Sequence, residues 1–177
     1  MTNEQLIENC LKGNARAQKM LFEKFGPKLM GVCYRYATNG DEAQDLLQDG
    51  FIKIFEKLDK YSGIGSFEGW MRRIIVNTAL DNIRKNKKFQ LHTDIDETGY
   101  RIPSNDFIEE RLAAEDLIKV LQTIPIGYKT IFNLYAIEGY SHKEIAEQLN
   151  ITTSTSKSQY SRAKALLRDK ITKLNLI

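Results

Sequence analysis

The residue types that enzymes use for catalysis are present in this chain, but they are not grouped as catalysis requires. His142 and Glu144 have the His-x-Glu spacing of zinc deaminases, yet no Pro-Cys-x-x-Cys accompanies them. Cys10 and Cys33 have neither the spacing of metal ligands nor that of a disulfide framework, so we expect small buried apolar residues in a reducing compartment. No carboxylate pair or phosphate-cradling loop is apparent. The sequence predicts a non-catalytic chain without metal or cofactor.

Recognition of nucleic acid is the chemistry that the sequence supports better. Between Thr152 and Lys173, six Lys or Arg residues stand against one acid, a net charge of +5. Lysine, arginine and serine donors of this kind reach phosphates and purine edges in a major groove. The candidates are Lys157, Ser158, Ser161 and Arg162. An ordinary solvated helix would also show a basic surface, so the elements that hold these donors matter.

Two short helices joined by a tight turn are predicted to position the donors. Ser141 and Glu144 have the spacing of a capping box, and Asn150 tolerates the left-handed conformation that ends a helix. Thr152 or Thr153 can cap the second helix. Its inward face is predicted to consist of Ser156, Tyr160, Ala163 and Leu167. This pattern is that of a helix-turn-helix.

The rest of the chain is predicted to be helical as well. Of its 177 residues 42% are hydrophobic and 28% charged, which allows one domain or two small ones. Apolar residues recur at helical spacing, and strand-type alternation does not occur. No apolar run approaches the roughly 18 residues that would span a bilayer, so we expect a cytoplasmic protein without membrane contact. The fold class expected is all-α.

Three helices are expected before residue 40, and a fourth follows them. The pattern predicts one over 3–11, a second that Gly26-Pro27 ends, and a third over 29–37. Asp41 is expected to cap the next helix, over 41–58.

One side of the helix over 41–58 is acidic. Its acids are Glu42, Asp45, Asp49 and Glu56, which cluster with Lys53, and Leu46 and Ile52 border them. Such a face repels phosphate and suits a basic protein surface, although a solvated helix face would look the same. Gly50 in mid-helix costs about 1 kcal/mol relative to Ala, which suggests a close packing contact there.

A basic helix with aromatic neighbours follows, from Phe67 to about Lys88. Its inward residues are predicted to be Phe67, Met71, Ile74, Ile75 and Thr78. Another side is predicted to carry Arg73, Asn77, Leu80, Arg84 and Lys88. Residues 66–88 have a net charge of +4, and Tyr61 and Trp70 are near. Cations interleaved with aromatics suit single-stranded nucleic acid, although an aromatic core beside a solvated basic flank remains an alternative.

An acidic stretch divides the chain. Residues 89–116 carry eight acids and two arginines, a net charge of −6, and the first part lacks periodicity. We therefore expect a flexible acidic linker over 89–105 between helical domains at 1–88 and 106–177.

Taken together, three segments resemble the small two-domain sigma factors of bacterial RNA polymerase, the extracytoplasmic-function (ECF) group of the sigma-70 family. DEAQDLLQDGFIKIFEKLDKY resembles the helix with which that family binds the polymerase clamp, and FEGWMRRIIVNTALDNIRKNKK resembles its promoter-melting helix. IPIGYKTIFNLYAIEGYSHKEIAEQLNITTSTSKSQYSRAKALLR resembles its second-domain motif. The resemblance covers nearly the whole chain, with the segments in the family's order. It implies a region 2-like bundle and a region 4-like helix-turn-helix.

The resemblance also implies roles and partners. Core polymerase would contact Asp45, Leu46, Asp49 and Lys53. The promoter element near the start site (the near element) would be bound and melted by Tyr61, Ser62, Gly63, Phe67, Arg73 and Asn77. The farther element, read as duplex (the far element), would contact Lys157, Ser158, Ser161 and Arg162. The implied partners are core RNA polymerase, promoter DNA and an anti-sigma factor.

The chain departs from the family's pattern in the recognition helix. Ser154-Thr155-Ser156 stands where Gly-Thr-Val is common, which predicts weaker apolar packing between the two helices. Gln159 stands where Arg is frequent, which predicts the loss of a phosphate or guanine contact. An autonomous helix-turn-helix regulator would carry a similar recognition helix, and a DNA-modifying enzyme would need a catalytic cluster that the sequence lacks.

Overall fold

A computed structural model describes residues 1–85 and 114–174, with the side chain of Ala114 excepted. The chain divides into two compact units, Met1–Lys85 and Asn86–Ile177. Within the described ranges every regular element is helical, which confirms the all-α prediction. The predicted linker over 89–105 and the predicted domain boundaries at 88 and 106 lie outside the described residues.

Four helices and a short 3₁₀ turn build the first unit. They are α1 (Asn3–Leu11), α2 (Ala15–Tyr36), α3 (Gly40–Glu56), the 3₁₀ turn Leu58–Lys60, and α4 (Phe67–Lys85). Helix α2 packs against the other three, and α3 packs against α4. The buried centre includes Leu21, Leu29, Cys33, Ala43, Ile54, Met71, Ile75 and Leu80. All are small or apolar, so burial of these side chains holds the unit together.

Helix α2 continues through Pro27, so the prediction that Gly26-Pro27 ends a helix is wrong. Proline removes the hydrogen bond to the carbonyl four residues earlier and costs about 3 kcal/mol inside a helix. Here both Pro27 and Glu23 lie on the exposed side, where water can satisfy the freed carbonyl. Packing offsets the remaining cost, because apolar side chains are buried on both sides of the proline, among them Leu21, Phe25, Leu29 and Val32.

The start of α3 also differs from the prediction. Asn39, not Asp41, is the N-cap, and its side-chain oxygen accepts a hydrogen bond from the Glu42 N–H at 2.8 Å. Asp41 lies in the first turn instead, where its negative charge is favourable at the positive end of the helix.

The second unit is centred on its last helix. The described elements are α5 (Ala114–Gln122), α6 (Ile126–Phe132) with a π-helical continuation over Asn133–Ile137, α7 (His142–Leu149) and α8 (Thr153–Lys173). Helix α8 packs on α5, α6 and α7. One buried apolar cluster comprises Val120, Leu121, Ile124, Tyr128, Phe132, Ala163, Leu167 and Ile171.

Helices α7 and α8 confirm the helix-turn-helix. Ser141 and Glu144 form the capping box, with the Ser141 N–H donating to a carboxylate oxygen of Glu144 at 2.8 Å. Asn150 adopts the left-handed conformation at φ 53° and ψ 49°. Thr152 caps α8, its hydroxyl oxygen accepting from the Thr155 N–H at 3.0 Å. The turn is therefore defined by local hydrogen bonds that the sequence pattern indicates.

Candidate polymerase-docking and promoter-binding surfaces

The exposed side of α3 is acidic. Asp45, Asp49 and Glu56 are exposed, whereas Glu42 turns back to accept from the Thr38 N–H at 2.7 Å. Lys53 does not neutralise this strip fully, because its ammonium group lies 3.4 Å from a carboxylate oxygen of Asp81 on α4. We call Asp45, Asp49 and Glu56 the acidic strip.

Leu46 does not belong to this surface. Its side chain is 5% exposed and packs into the core of the first unit, so Leu46 offers little area to a partner. Ile52, by contrast, is 57% exposed. The apolar side chain beside the acidic strip is therefore Ile52, which the sequence indicated as a border residue but not as a candidate contact.

The loop before α4 is shaped by its glycines and a tyrosine. Gly63 and Gly65 have φ of 75° and 80°, a conformation that side chains disfavour. The Tyr61 hydroxyl donates to the Gly65 carbonyl oxygen at 3.0 Å, and the Ile64 N–H approaches the Ser62 hydroxyl oxygen at 3.4 Å. Ile64 is 85% exposed at the tip of this loop.

An aromatic cluster anchors the loop to α4. The ring of Tyr61 lies 5.0 Å from that of Phe67 and 5.4 Å from that of Trp70, and Phe67 stacks on Trp70 at 5.7 Å. Phe67 is only 6% exposed and also contacts Phe25 of α2 at 5.6 Å. Phe67 therefore supports the loop from inside, and Tyr61 and Trp70, both half-buried, are the rings with accessible area.

The outer side of α4 carries polar and basic residues. Arg73 and Asn77 are exposed and lie one turn apart, and Arg84 and Lys85 are exposed further along. Leu80, expected on the same side, is 1% exposed and belongs to the core. Its neighbour Asp81 is the acid that pairs with Lys53 and with Arg84, the latter at 2.6 Å.

Helix α8 carries the predicted far-element residues. Lys157 and Ser158 are exposed, and Ser161 and Arg162 are half-buried. The Ser158 hydroxyl donates to the Thr155 carbonyl oxygen at 3.1 Å, within its own helix. The four side chains occupy positions 157, 158, 161 and 162, whose spacing places them along one side of the helix.

Gln159 faces the interior, so the prediction that it stands for a missing DNA contact is wrong. Its side chain is 3% exposed. Residues 156, 159, 163 and 167 are spaced 3, 4 and 4 apart, so Gln159 shares the inward side with Ser156 and Ala163. The residue type at 159 therefore affects the packing of α8 and not its outer surface.

His142, which the sequence analysis considered only for its His-x-Glu spacing, joins α7 to α8. Nδ1 of His142 lies 2.9 Å from the hydroxyl oxygen of Ser156, and its ring stacks on Tyr135 at 4.2 Å. Burial lowers the pKa of His142 because it disfavours the charged imidazolium, and the cation of Lys157 lowers that pKa further. The neutral ring is therefore favoured. One sequence signal could have indicated this contact: the periodicity predicts that Ser156 is buried, and its hydroxyl then requires a hydrogen-bond partner.

Metal-ligand side chains and the two thiols are the other groups of chemical interest among the described residues. No group of three or more His, Cys, Asp or Glu side chains is placed to hold a metal within 1–85 and 114–174. Burial raises the pKa of the Cys33 thiol to about 12, and the pKa of Cys10 is also raised by burial. Both buried thiols therefore stay protonated and unreactive near neutral pH. None of the described helices combines the length and apolar character needed to cross a membrane.

Two family models of sigma-70 factors match the chain, one mainly within the first unit and one within the second. Sigma-70 region 2 matches residues 21–89, and Sigma-70 region 4 matches residues 114–167. Together the two ranges cover more than half of the chain, in the order that the three quoted segments predict. The chain belongs to the sigma-70 family, in its ECF group.

Individual relatives agree with this assignment. The ECF RNA polymerase sigma-E factor of Haemophilus influenzae is 26% identical over 182 residues, covering 97% of this chain and 96% of the relative. The ECF RNA polymerase sigma factor SigE of Mycolicibacterium smegmatis is 31% identical over 159 residues, covering 86% of this chain and 61% of the relative. The fold is similar to that of the sigma factor RpoE in its co-crystal structure with the anti-sigma factor NepR from Bartonella quintana. That likeness has a TM-score of 0.50 and 22% identity, and covers 85% and 94% of the two chains.

Membership of this family defines the overall function of the protein. The protein is a promoter-specificity subunit of bacterial RNA polymerase, with core polymerase and promoter DNA as its partners. The family to which it belongs is non-catalytic.

Proposed function

We propose that the two units divide the work of promoter recognition. The first unit binds core polymerase and captures the near element as it melts, and the second holds the far element as duplex. The observation that carries this proposal is the pairing of oppositely charged surfaces on two packed helices of one unit. The acidic strip lies on α3, and the exposed cations Arg73, Arg84 and Lys85 lie on α4.

Docking to core polymerase is assigned to the acidic strip with Ile52. Three exposed carboxylates repel a phosphate backbone but attract a basic protein surface, and complementary charge speeds association. Ile52 adds exposed apolar area beside them. Lys53 contributes through its ion pair with Asp81, which ties the docking helix to α4.

Capture of the near element is assigned to the glycine loop and the outer side of α4. Ser62, Gly63 and Ile64 form a protruding loop that the Tyr61 hydroxyl closes, and Arg73 and Asn77 supply donors. Extruding a base from the duplex costs a few kcal/mol, which stacking and hydrogen bonds in a pocket offset. Phe67 keeps the loop in place from within the core.

Recognition of the far element is assigned to α8. Lys157, Ser158, Ser161 and Arg162 lie along its outer side, and the helix-turn-helix presents such a helix to the major groove. Phosphate contacts would set the position of the helix, and contacts to base edges would set its specificity.

The remaining assignments follow from this division of work. The chain contributes no catalytic group, and the polymerase performs the chemistry. It acts in the cytoplasm, where the polymerase and the promoters are. We further propose an anti-sigma factor as a regulatory partner, since the RpoE of Bartonella quintana was crystallised with one.

Binding measured with and without core polymerase tests the proposal. The purified chain is mixed with labelled promoter fragments, alone and after addition of core enzyme. We expect a stable, opened complex only with core. An autonomous helix-turn-helix regulator would instead bind its operator tightly alone and gain nothing from core, and that outcome would refute the proposal.

A further inference from the structure

We infer that His142 is a positioning residue for far-element recognition, which acts by fixing the start of α8 through its hydrogen bond to Ser156. The inference rests on the proposed role of α8 and adds a residue that lies on the other helix of the pair. His142 is the first residue of α7, whose start is held by the capping box of Ser141 and Glu144.

The position of Ser156 explains why this bond matters for DNA. Ser156 lies in the first turn of α8, is fully buried, and directly precedes Lys157 and Ser158. Its hydroxyl oxygen is 2.9 Å from Nδ1 of His142. A change in this contact shifts or rotates the first turn of α8, and the outward side chains next to it move with the backbone. Displacements of about 1 Å are enough to spoil directional hydrogen bonds.

The imidazole ring is held in one orientation from its other sides. It stacks on Tyr135 at 4.2 Å with an interplanar angle of 13°, and it lies 5.8 Å from the ring of Tyr160 at 59°. Tyr135 and Tyr160 contact each other at 4.5 Å. Three rings from the π-helical segment, α7 and α8 therefore aim Nδ1 at Ser156.

The buried hydroxyl makes the two residues interdependent. The two side chains share one hydrogen bond, so a change at either residue removes the same interaction. His142→Phe keeps a ring against Tyr135 but removes the nitrogen, and Ser156→Ala removes the hydroxyl. Either change alone should loosen the first turn of α8, and the two together should have little further effect.

The test uses full-length chain with core polymerase on two templates that differ only in the far element. One template carries the intact element, and the other carries a scrambled sequence in its place. Defects in folding or core binding lower transcription from both templates alike. The ratio of transcripts from the intact and the scrambled template therefore measures recognition of the far element by α8. We expect His142→Phe and Ser156→Ala each to lower this ratio by about two- to tenfold, and the double variant to match the single variants.

A conservative variant and a control complete the design. His142→Asn places an amide near the position of Nδ1 and should restore most of the ratio. Glu147→Ala, at an exposed position on the same helix, should leave it unchanged. Equal losses on both templates, losses that add in the double variant, or no loss at all would overturn the inference.

The wild-type chain separates this inference from the proposed function. If wild type initiates but its output does not depend on the far element, the assigned role of α8 fails and the inference fails with it. If wild type shows that dependence while His142→Phe retains it, only the inference fails.

Discussion

Ile75 of α4 occupies the space that a side chain at Gly50 of α3 would need. A Cβ atom at position 50 would lie 2.1 Å from Cδ1 and 3.4 Å from Cγ1 of Ile75. Ile75 is fully buried, so its Cδ1 atom has little room to move aside. The glycine lets α3 and α4 approach closely, which the sequence indicated by a costly glycine in mid-helix.

Gly50→Ala should therefore destabilise the first unit. Overpacking costs about 1–3 kcal/mol, against which Ala gains about 1 kcal/mol of helix propensity over Gly. We expect a net loss of about 1 kcal/mol in the free energy of unfolding, measured by urea denaturation followed through Trp70 fluorescence. Gly31→Ala is the matched control, and it should stabilise. Apart from its two chain neighbours and the backbone of its own helix, nothing lies within 4 Å of the Cβ position of residue 31.

The clash itself can be tested by removing Cδ1. Ile75→Val should cost about 1 kcal/mol alone, through the lost methyl group. In that background Gly50→Ala should become neutral or stabilising. Additive losses in the double variant would show that Ile75 is not the obstacle.

Asp49→Arg should weaken binding to core polymerase. It places a cation in the acidic strip, opposite the basic surface that we propose as its partner. We expect a loss of roughly 1–2 kcal/mol, about 5- to 30-fold in the dissociation constant, that shrinks as salt is raised. Glu23→Arg makes the same charge reversal at an exposed position on α2 and should have little effect. Affinity unchanged by Asp49→Arg at moderate salt would remove the acidic strip from the interface.

Asn77→Ala should impair promoter opening while leaving binding to the duplex far element unchanged. Asn77 is exposed on α4, and its amide can hydrogen-bond a base that has left the stack. We expect fewer open complexes, detected by permanganate reactivity of unpaired thymines, on duplex templates. A template mismatched around the start site should recover much of the loss, because it removes the cost of unpairing. Normal opening on duplex DNA would exclude Asn77 from base capture.

The stability of the second unit should fall as the pH decreases through the usual pKa of histidine. The pKa of His142 is lowered from about 6.5, first by burial and then by Lys157. The unfolded chain therefore takes up a proton before the folded chain does, which favours unfolding at lower pH.

Thermal unfolding of wild type and His142→Asn between about pH 8 and about pH 5 measures this effect. Wild type should lose stability relative to the variant as the pH falls, with most of the change below about pH 6.5. Parallel curves over the whole range would show that His142 does not contribute.

Local patterns predicted most of the fold. Helical spacing of apolar residues located α1, and the capping signals at Ser141 and Asn150 located both ends of α7. These features depend on residues within about one turn of each other, so the sequence alone contains them. The predicted helix end at Pro27 was wrong because a helix tolerates proline only in a suitable tertiary context. That context is the side of α2 that faces water and the packing of α2 against three other helices, neither of which a local pattern contains.

The candidate surfaces were predicted less completely for a similar reason. Periodicity correctly assigned Asp49 and Asn77 to exposed sides. It could not decide whether residues at the edge of an apolar stripe are buried or exposed, and tertiary packing buries two of these, Leu46 and Gln159. The hydrogen bond between His142 and Ser156 joins residues 14 positions apart, so no short-range pattern reveals it.

Transcription in vitro with core polymerase on a library of genomic fragments tests the central claim most directly. We predict that the purified chain, added to core, initiates at a small set of fragments that share two elements at fixed spacing. Core alone should not use these sites, and scrambling either element should reduce initiation. Initiation that is unchanged when the chain is omitted, or tight binding of the chain to DNA with no transcript when core is present, would contradict the account.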